Sequence, residues 1–335
     1  MKVAVFNTKS YDREFLEKSN AKYGHELTFL EPQLSSETSI LAAGFPAVCV
    51  FVNDQLNGEI IRAIYQQGTR LIALRCAGYN NVDLAVAKEL NMTVVRVPAY
   101  DPYGVAEHTV GLMLSLNRKI HRAYNRVRDN NFSIEGFLGY TMNGCTVGVI
   151  GTGKIGALTA KILKGFGCQL LGYDIYQNPD CLALGMRYVE LPELFSASNI
   201  ISLHCPLTPE THHLINSETI KQMQDGVMLI NTSRGGLIDT VALIEGLKEE
   251  KIGHLGLDVY EQEGDLFFEN LSEEIITDDV FQRLLTFPNV LITSHQAFFT
   301  KEALTNIADV TLSNISDIEQ GHTCANLVRL EGSPK

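Results

Sequence analysis

No run of about 18 apolar residues, the length that spans a bilayer, occurs in the 335-residue sequence, so no membrane-spanning helix is expected. The N-terminal stretch MKVAVFNTKSYDREF has no long apolar segment, which argues against a signal peptide. Positive charge is scarce, and the formal net charge of -12 disfavours a nucleic-acid or anionic-membrane surface. The basic stretch from Asn117 to Arg128 is the exception, and we interpret it as a solvated helix face.

The cysteines form no recognisable framework. There are seven, an odd number, and none of them is spaced as CxxC. This pattern argues against a disulfide scaffold and against a zinc site, and it predicts buried thiols in a reducing cytoplasm. We therefore expect a cytoplasmic protein with no metal.

The length allows two domains. In the first hundred residues, short apolar runs alternate with helical patterns, as expected for a parallel sheet covered on both faces. The predicted strands are KVAVFN, AVCVFV, LIALRC and TVVRVP, and the predicted helices are YDREFLEKSN, GEIIRAIYQQG and NVDLAVAKELN.

A long helix is predicted next, from a cap at Asp101 and a first-turn Pro102 to about Val127, because apolar residues recur at helical spacing throughout. Such a helix could cross between domains or pair with another subunit. From Thr146 onward, seven further strands predict a complete doubly wound sheet. Two Rossmann-like domains would then enclose a ligand cleft.

A dinucleotide site is predicted where a strand, a glycine turn and a helix follow one another. Gly151, Gly153 and Gly156 fit G-x-G-x-x-G, in which the glycines permit a tight turn, a close approach of pyrophosphate and close helix packing. The next strand ends in Asp174, whose carboxylate suits a ribose diol and repels a 2′-phosphate. The sequence therefore predicts NAD as the cofactor.

Reactive side chains follow three later strands. Arg234 comes after VMLINTS, Asp258 and two glutamates accompany HLGLDVY, and His295 comes after NVLITS. Since ligands bind at the carboxyl ends of parallel strands, we expect an arginine, an acid and a histidine beside the glycine turn. They suit reduction of a 2-keto acid: NADH supplies hydride, histidine supplies the proton, and arginine holds the substrate carboxylate.

Several alternatives stay open from the residues alone. Each of the three side chains could be an ordinary surface residue or loop residue. Glu261 competes with Glu263 as the partner of the histidine. In the segment SLHCPLTPETHH, three histidines compete with His295, namely His204, His212 and His213.

The motifs resemble the D-isomer-specific 2-hydroxyacid dehydrogenases over nearly the whole chain. VGVIGTGKIG, SLHCPLTPET, NTSRGGLID, GLDVYEQEGDLFFE and SHQAFFTKEAL are similar to that family, and LRCAGYNNVDL with VRVPAYDPYGVAEH narrows the likeness to its D-lactate dehydrogenase branch. The resemblance implies NADH-dependent reduction of pyruvate to D-lactate. A related enzyme for phenylpyruvate, 2-ketoisocaproate or hydroxypyruvate, and an NAD-responsive binding protein, are the alternatives.

The resemblance also implies roles for individual residues. Arg234 would bind the substrate, and Glu263 would support His295 as the acid/base. Residues at NAD-contacting positions are Gly151, Gly153, Lys154, Ile155, Gly156, Asp174, Cys205, Pro206, Thr211, Thr232, Ser233 and Asp258. Residues at substrate-contacting positions are Ala77, Gly78, Tyr100 and Phe298.

The same resemblance implies an α/β fold of two Rossmann-like domains, with the NAD-binding domain inserted in a split substrate domain. Residues 1–100 and 299–335 would form the flavodoxin-like substrate domain, and residues 101–298 would bind NAD. The region 101–127 would support a homodimer.

Overall fold

The chain folds into two compact units in a computed structural model that describes residues 1–328. Unit 1 comprises Met1–Asp101 together with the chain from Phe299 onward, and unit 2 is Pro102–Phe298. Within residues 1–328, no helix is both long enough and apolar enough to cross a membrane.

Unit 1 begins with a parallel sheet and the helices that cover it. The elements are β1 Lys2–Val5, α1 Ser10–Asn20, β2 Glu26–Phe29, β3 Ala47–Val50, α2 Gly58–Gln66, β4 Leu71–Leu74, α3 Leu84–Glu89 and β5 Thr93–Val95, with a 3₁₀ turn at Ser39–Ala42. The strand order is β2-β1-β3-β4-β5, and every pairing is parallel. This is the flavodoxin-like order.

The edge strand β2 is the one strand of this sheet that the sequence did not predict. Its residues, ELTF, are exposed or half-buried, whereas those of β3 and β4 are fully buried. The segment ELTF has no continuous apolar run, and such runs were the signal used for prediction.

Unit 2 carries the larger sheet. Its elements are α4 Pro102–Arg118, α5 Ile120–Arg128, β6 Thr146–Ile150, α6 Lys154–Gly165, β7 Gln169–Tyr173, α7 Pro179–Ala183, β8 Arg187–Tyr188, α8 Leu191–Ala197, β9 Ile200–Leu203, α9 Ser217–Gln222, β10 Val227–Asn231, α10 Thr240–Lys248, β11 Ile252–Leu257, α11 Asp279–Leu285 and β12 Val290–Ile292. All seven predicted strands are present.

The order of this sheet is β12-β11-β10-β9-β6-β7-β8, again with parallel pairs throughout. The chain runs outward from β6 in one direction through β7 and β8, and then from β9 in the other. The strand order reverses between β6 and β9, and ligands of doubly wound sheets bind at this reversal, beyond the carboxyl ends of the strands.

The last described helix, α12 Lys301–Glu319, returns to unit 1. Its side chains Ala308, Leu312 and Ile315 are buried in one cluster with strand residues Val3 and Leu71. The opposite face of that sheet is covered by another cluster that includes the apolar side of α2. Unit 1 is therefore a three-layer sandwich closed by a helix from the far end of the chain.

The single long helix predicted from Asp101 to Val127 is wrong, because the chain breaks between α4 and α5. Lys119 lies at the break with a left-handed φ of 50°, which an α-helix cannot contain. The Asp101 carboxylate, just before α4, accepts a hydrogen bond from Thr300 Oγ1 at 2.9 Å. Periodicity alone cannot reveal a one-residue break that leaves both flanking segments amphipathic.

Tight packing of β6 against α8 predicts a stability effect. A Cβ added at Gly148 would lie 2.5 Å from Leu194 Cδ2 and 2.6 Å from Ser198 Oγ. We expect Gly148→Val to lower the free energy of unfolding by about 1–3 kcal/mol or more through overpacking, measured by urea denaturation. Gly165→Ala is the control, because a Cβ there meets nothing within 4 Å. Equal stability of the two variants would contradict this packing.

Candidate active site

Three adjacent strands place the candidate catalytic residues along one edge of the sheet in unit 2. Arg234 follows β10, Glu263 follows β11 and His295 follows β12, and these strands are neighbours in the sheet. Because the strands are parallel, their carboxyl ends and the loops that leave them share one edge.

His295 and Glu263 form a close pair. His295 Nδ1 lies 2.7 Å from Glu263 Oε1, and the other carboxylate oxygen of Glu263 accepts the amide N–H of Tyr260 at 2.9 Å. The imidazole is flanked by the rings of Phe268 and Phe298, whose centroids lie 5.7 and 6.3 Å away. With Nδ1 held by the carboxylate, Nε2 is the nitrogen left to exchange a proton with a ligand.

The backbone at His295 is held in an unusual conformation by Asp258. His295 has a left-handed φ of 52°, and its N–H donates to the Asp258 carbonyl at 2.7 Å. The Asp258 carboxylate accepts the amide N–H groups of Gln296 and Ala297, each at 2.9 Å, and the hydroxyl of Thr293 at 2.5 Å. Asp258 was expected to contact NAD, and here both of its oxygens organise the loop that carries the histidine.

His108 joins this network from helix α4. Its Nε2 lies 3.1 Å from Thr293 Oγ1 and 3.5 Å from Asp258 Oδ1. Neither His108 nor Thr293 was singled out from the sequence. Thr293 could have been suspected, since it directly follows the last strand. His108 ends the motif VRVPAYDPYGVAEH, but it lies 150 positions before Asp258, and only the fold brings the two together.

Arg234 lies on a turn shaped by a buried asparagine. Asn231 is fully buried at the end of β10, donates to the Arg234 carbonyl at 2.8 Å and accepts the Ser233 N–H at 3.0 Å. The Ser233 hydroxyl donates to the Cys205 carbonyl at 2.8 Å, which ties the turn to the loop after β9. Sequence reasoning missed Asn231, although a polar residue ending a fully apolar strand is a usable signal.

The glycine turn follows β6 as predicted. Gly151 has a φ of 90°, and a Cβ there would lie 2.4 Å from the Cys205 amide nitrogen. A Cβ at Gly156 would lie 2.0 Å from the Gly151 carbonyl oxygen, so α6 packs directly on the turn. A Cβ at Gly153 would meet nothing within 4 Å, which leaves open space at the N-terminus of α6.

This geometry fits a dinucleotide. The first-turn N–H groups of α6, on Lys154, Ile155 and Gly156, have no partner within the helix and suit a pyrophosphate. Asp174 lies at the end of β7, and its carboxylate accepts the Thr152 N–H at 2.5 Å. It thus lies beside the glycine turn, where a carboxylate suits the ribose hydroxyls.

The remaining residues expected to contact NAD lie on the loop after β9 and at the end of β10. The Thr211 hydroxyl donates to the Pro206 carbonyl at 2.7 Å, and the Thr232 hydroxyl lies 2.8 Å from that of Thr109. Cys205 is buried, and burial raises the pKa of its thiol to about 11. The thiol therefore stays protonated and acts as packing rather than as a nucleophile.

Comparison with known proteins agrees with this arrangement. The profile of the family described as D-isomer specific 2-hydroxyacid dehydrogenase, NAD binding domain, matches residues 110–297. The D-lactate dehydrogenase of Escherichia coli K12 is 57% identical over 97% of this chain and 99% of its own.

Solved structures agree as well. The apo-structure of E. coli D-lactate dehydrogenase has a TM-score of 0.90 and 54% identity over 98% of this chain and 100% of that chain. The structure of the pyruvate reductase of Chlamydomonas reinhardtii has a TM-score of 0.92 and 45% identity over 97% of this chain and 98% of that chain.

The chain belongs to the D-isomer-specific 2-hydroxyacid dehydrogenase family. It is an NAD-dependent D-2-hydroxyacid dehydrogenase, and residues 110–297 form the family's NAD-binding domain. The predicted family, the fold of two parallel-sheet α/β domains and the cofactor are thereby confirmed.

The geometry also distinguishes between the two candidate glutamates and among the candidate histidines of this dehydrogenase. Glu263 contacts His295, whereas Glu261 contacts His213 at 2.9 Å between Oε1 and Nε2. Desolvation lowers the pKa of His204 to about 4, so this imidazole is neutral near pH 7, and it pairs with the Ser202 hydroxyl at 2.8 Å. Among the candidate histidines, His295 alone is paired with Glu263.

The expected substrate residues Ala77, Gly78 and Tyr100 belong to unit 1. Arg96 Nη1 donates to the Ala77 carbonyl at 2.8 Å, the Cys76 thiol donates to the Gly78 carbonyl at 3.3 Å, and the Tyr100 carbonyl accepts a bond from Asn306. Phe298 belongs to unit 2 and lies beside His295.

Alanine substitutions at two glycines of the turn should have opposite effects on stability and on cofactor binding. We expect Gly156→Ala to lower the unfolding temperature of the cofactor-free protein, because the added methyl collides with backbone. Gly153→Ala should leave that temperature nearly unchanged and weaken NADH binding by about tenfold or more, because the methyl fills the space for pyrophosphate.

The unfolding temperature is the first quantity to measure, and the NADH affinity is the second. Thermal unfolding reports the first, and NADH fluorescence reports the second without tryptophan interference, since the sequence has no tryptophan. Unchanged NADH affinity in Gly153→Ala would show that the pyrophosphate does not approach this position.

Proposed function

We propose that the chain reduces pyruvate to D-lactate with NADH, and that His295 donates the proton. The observation that carries this proposal is the 2.7 Å contact between His295 Nδ1 and Glu263 Oε1 at the carboxyl edge of the NAD-binding sheet. Bound NADH supplies the hydride to the carbonyl carbon. The protein then has to hold the keto acid and protonate its carbonyl oxygen.

His295 suits the role of acid. Its carboxylate partner holds Nδ1 and fixes the ring, which leaves Nε2 for the ligand. In the reverse direction the same nitrogen accepts the proton of the hydroxy acid. The left-handed backbone at His295 costs on the order of 1–2 kcal/mol, and the Asp258 hydrogen bonds offset that cost.

Arg234 suits the role of carboxylate binder. Its Nη1 donates to the Ser233 carbonyl at 2.7 Å, which orients the guanidinium plane. The rest of the planar fork can bind a carboxylate through two parallel hydrogen bonds and polarise the adjacent carbonyl. By the family resemblance, backbone amides near Ala77 and Gly78 hold the same carboxylate, and Tyr100 and Phe298 limit the size of the substrate side chain.

Pyruvate is the favoured substrate because solved relatives of 54% and 45% identity are described as a D-lactate dehydrogenase and a pyruvate reductase. Unit 1 is then the substrate domain. Six of the seven cysteines are buried, which supports a reducing cytoplasm as the location.

A homodimer is also part of this proposal, since α5 has no buried residue. Ile120, Tyr124 and Val127 form one apolar stripe and are 54%, 62% and 52% exposed. The stretch after α5 adds Phe132 and Leu138, which are 72% and 90% exposed. An apolar face this continuous supports contact with a second copy of the chain.

The catalytic proposal predicts a loss of turnover. His295→Ala should lower kcat with pyruvate and NADH by about 10²–10⁴, because the transition state loses its proton donor. His322→Ala, which removes an exposed histidine of unit 1, is the control and should be active. A near-normal rate for His295→Ala would remove this residue from the mechanism.

The substrate is tested separately. We expect chiral analysis of the product to find D-lactate, and kcat/KM to fall along the series pyruvate, 2-ketoisocaproate and phenylpyruvate. L-lactate would reject the stereochemistry, and a higher value for a bulkier keto acid would reject pyruvate as the preferred substrate. Absence of turnover together with tight NADH binding would favour an NAD-responsive binding protein.

The dimer proposal predicts that Tyr124→Glu yields monomers in light scattering, because a buried, unpaired charge opposes association. Ile275→Glu is the matched control, since Ile275 is 90% exposed outside this surface. Wild-type protein that is itself monomeric would contradict the proposal.

A further inference from the structure

Three possible metal ligands converge in unit 2 away from the His295–Glu263 pair. His212 and His213 lie on the loop between β9 and α9, and Glu261 follows β11. One donor atom from each residue lies within 4.8 Å of the other two. No metal was expected, because the cysteine spacing fits no zinc site. His213 and Glu261 are 48 positions apart, and only the sheet topology brings them together.

Backbone hydrogen bonds hold the two histidines in place. The His212 N–H donates to the Thr208 carbonyl and the His213 N–H to the Gly236 carbonyl, each at 2.9 Å. His213 also has a left-handed φ of 50°. As a result the two consecutive side chains lie on the same side, with their ring centroids 3.9 Å apart and the planes 23° apart.

The backbone of Glu261 is held in place by the turn after Arg234. A Cβ at Gly235 would lie 2.3 Å from the Glu261 amide nitrogen, so the turn after Arg234 packs directly on the backbone of Glu261. The Glu261 Oε1 atom lies 2.9 Å from His213 Nε2 and 3.5 Å from His212 Nε2. Both rings therefore direct the same nitrogen at one carboxylate oxygen.

We propose that His212, His213 and Glu261 bind one Zn²⁺ ion. Two imidazoles and a carboxylate are a ligand set that zinc accepts, with a water as the fourth ligand. Tetrahedral bonds of about 2.0–2.1 Å separate neighbouring donor atoms by roughly 3.3 Å, and the observed separations of 2.9 and 3.5 Å bracket that value. The side chains are 53%, 34% and 25% exposed, so an ion can enter from solvent.

The ion would link the loop of residues 208–213 to the segment after β11. These segments also carry Thr211 and Glu263, which the proposed function uses, but the zinc site shares no ligand with that function. Zinc binding can therefore be measured on the cofactor-free chain without any assay of turnover.

The test is calorimetric titration of Zn²⁺ into the full-length, reduced, NAD-free protein. We expect one saturable site in the wild type. His212→Asn, His213→Asn and Glu261→Gln should each weaken it by at least about 100-fold, because loss of an outer-shell partner alone costs up to that much. Asparagine is chosen at position 213 because it tolerates the left-handed backbone.

Two controls locate the site. His322→Asn removes an exposed histidine of unit 1, and Cys145→Ser removes the one half-buried cysteine, and both should bind Zn²⁺ as the wild type does. Co²⁺ used as a spectroscopic substitute should show d–d absorption without the charge-transfer band of a thiolate ligand. Thermal unfolding without metal confirms that each variant folds.

The proposal is overturned if the wild type shows no saturable Zn²⁺ binding, or if folded variants of all three residues bind as tightly as the wild type. It is also overturned if the Co²⁺ spectrum shows a thiolate ligand. None of these outcomes bears on His295 or on pyruvate reduction, so failure of the zinc site is distinguishable from failure of the proposed function.

Discussion

The hydrogen bonds of Asp258 are the constraint on which the arrangement at the sheet edge depends. One buried residue at the end of β11 accepts the His295 N–H on its carbonyl and three further donors on its carboxylate. These bonds keep the loop after β12 in a strained backbone conformation and bring the imidazole to Glu263. Because the carboxylate of this buried residue is hydrogen-bonded through both oxygens, one side chain fixes the position of another.

The parallel sheet supplies the rest of the arrangement. Each strand ends at the same edge, so residues far apart in sequence become neighbours without long connections. The strand order reverses between β6 and β9, and the open space at Gly153 lies at this reversal. The same topology gathers His212, His213 and Glu261, which shows how a single sheet edge can hold more than one cluster of reactive side chains.

Much of this could be predicted from the sequence. Apolar runs predicted eleven of the twelve strands found in residues 1–328, and the glycine spacing with Asp174 predicted the dinucleotide turn. The break at Lys119 is set by a single residue and could not be predicted. The residues alone left Glu261 and Glu263 as competing partners of His295, and the family resemblance pointed to Glu263, which the structure places beside the imidazole. Asn231 and His108 act through contacts that exist only after folding, although Asn231 carries a local signal as a polar residue that ends an apolar strand.

The return of α12 to unit 1 has a consequence for synthesis on the ribosome. Val3 and Leu71 are buried with Leu312 and Ile315, so the part of this sheet face that α12 covers stays open until the chain has grown past those positions. Unit 2 is continuous in sequence and can complete its core earlier. The nascent chain therefore carries a half-covered apolar sheet while its second unit is already folding, and this interval is when aggregation or chaperone binding would compete with correct assembly.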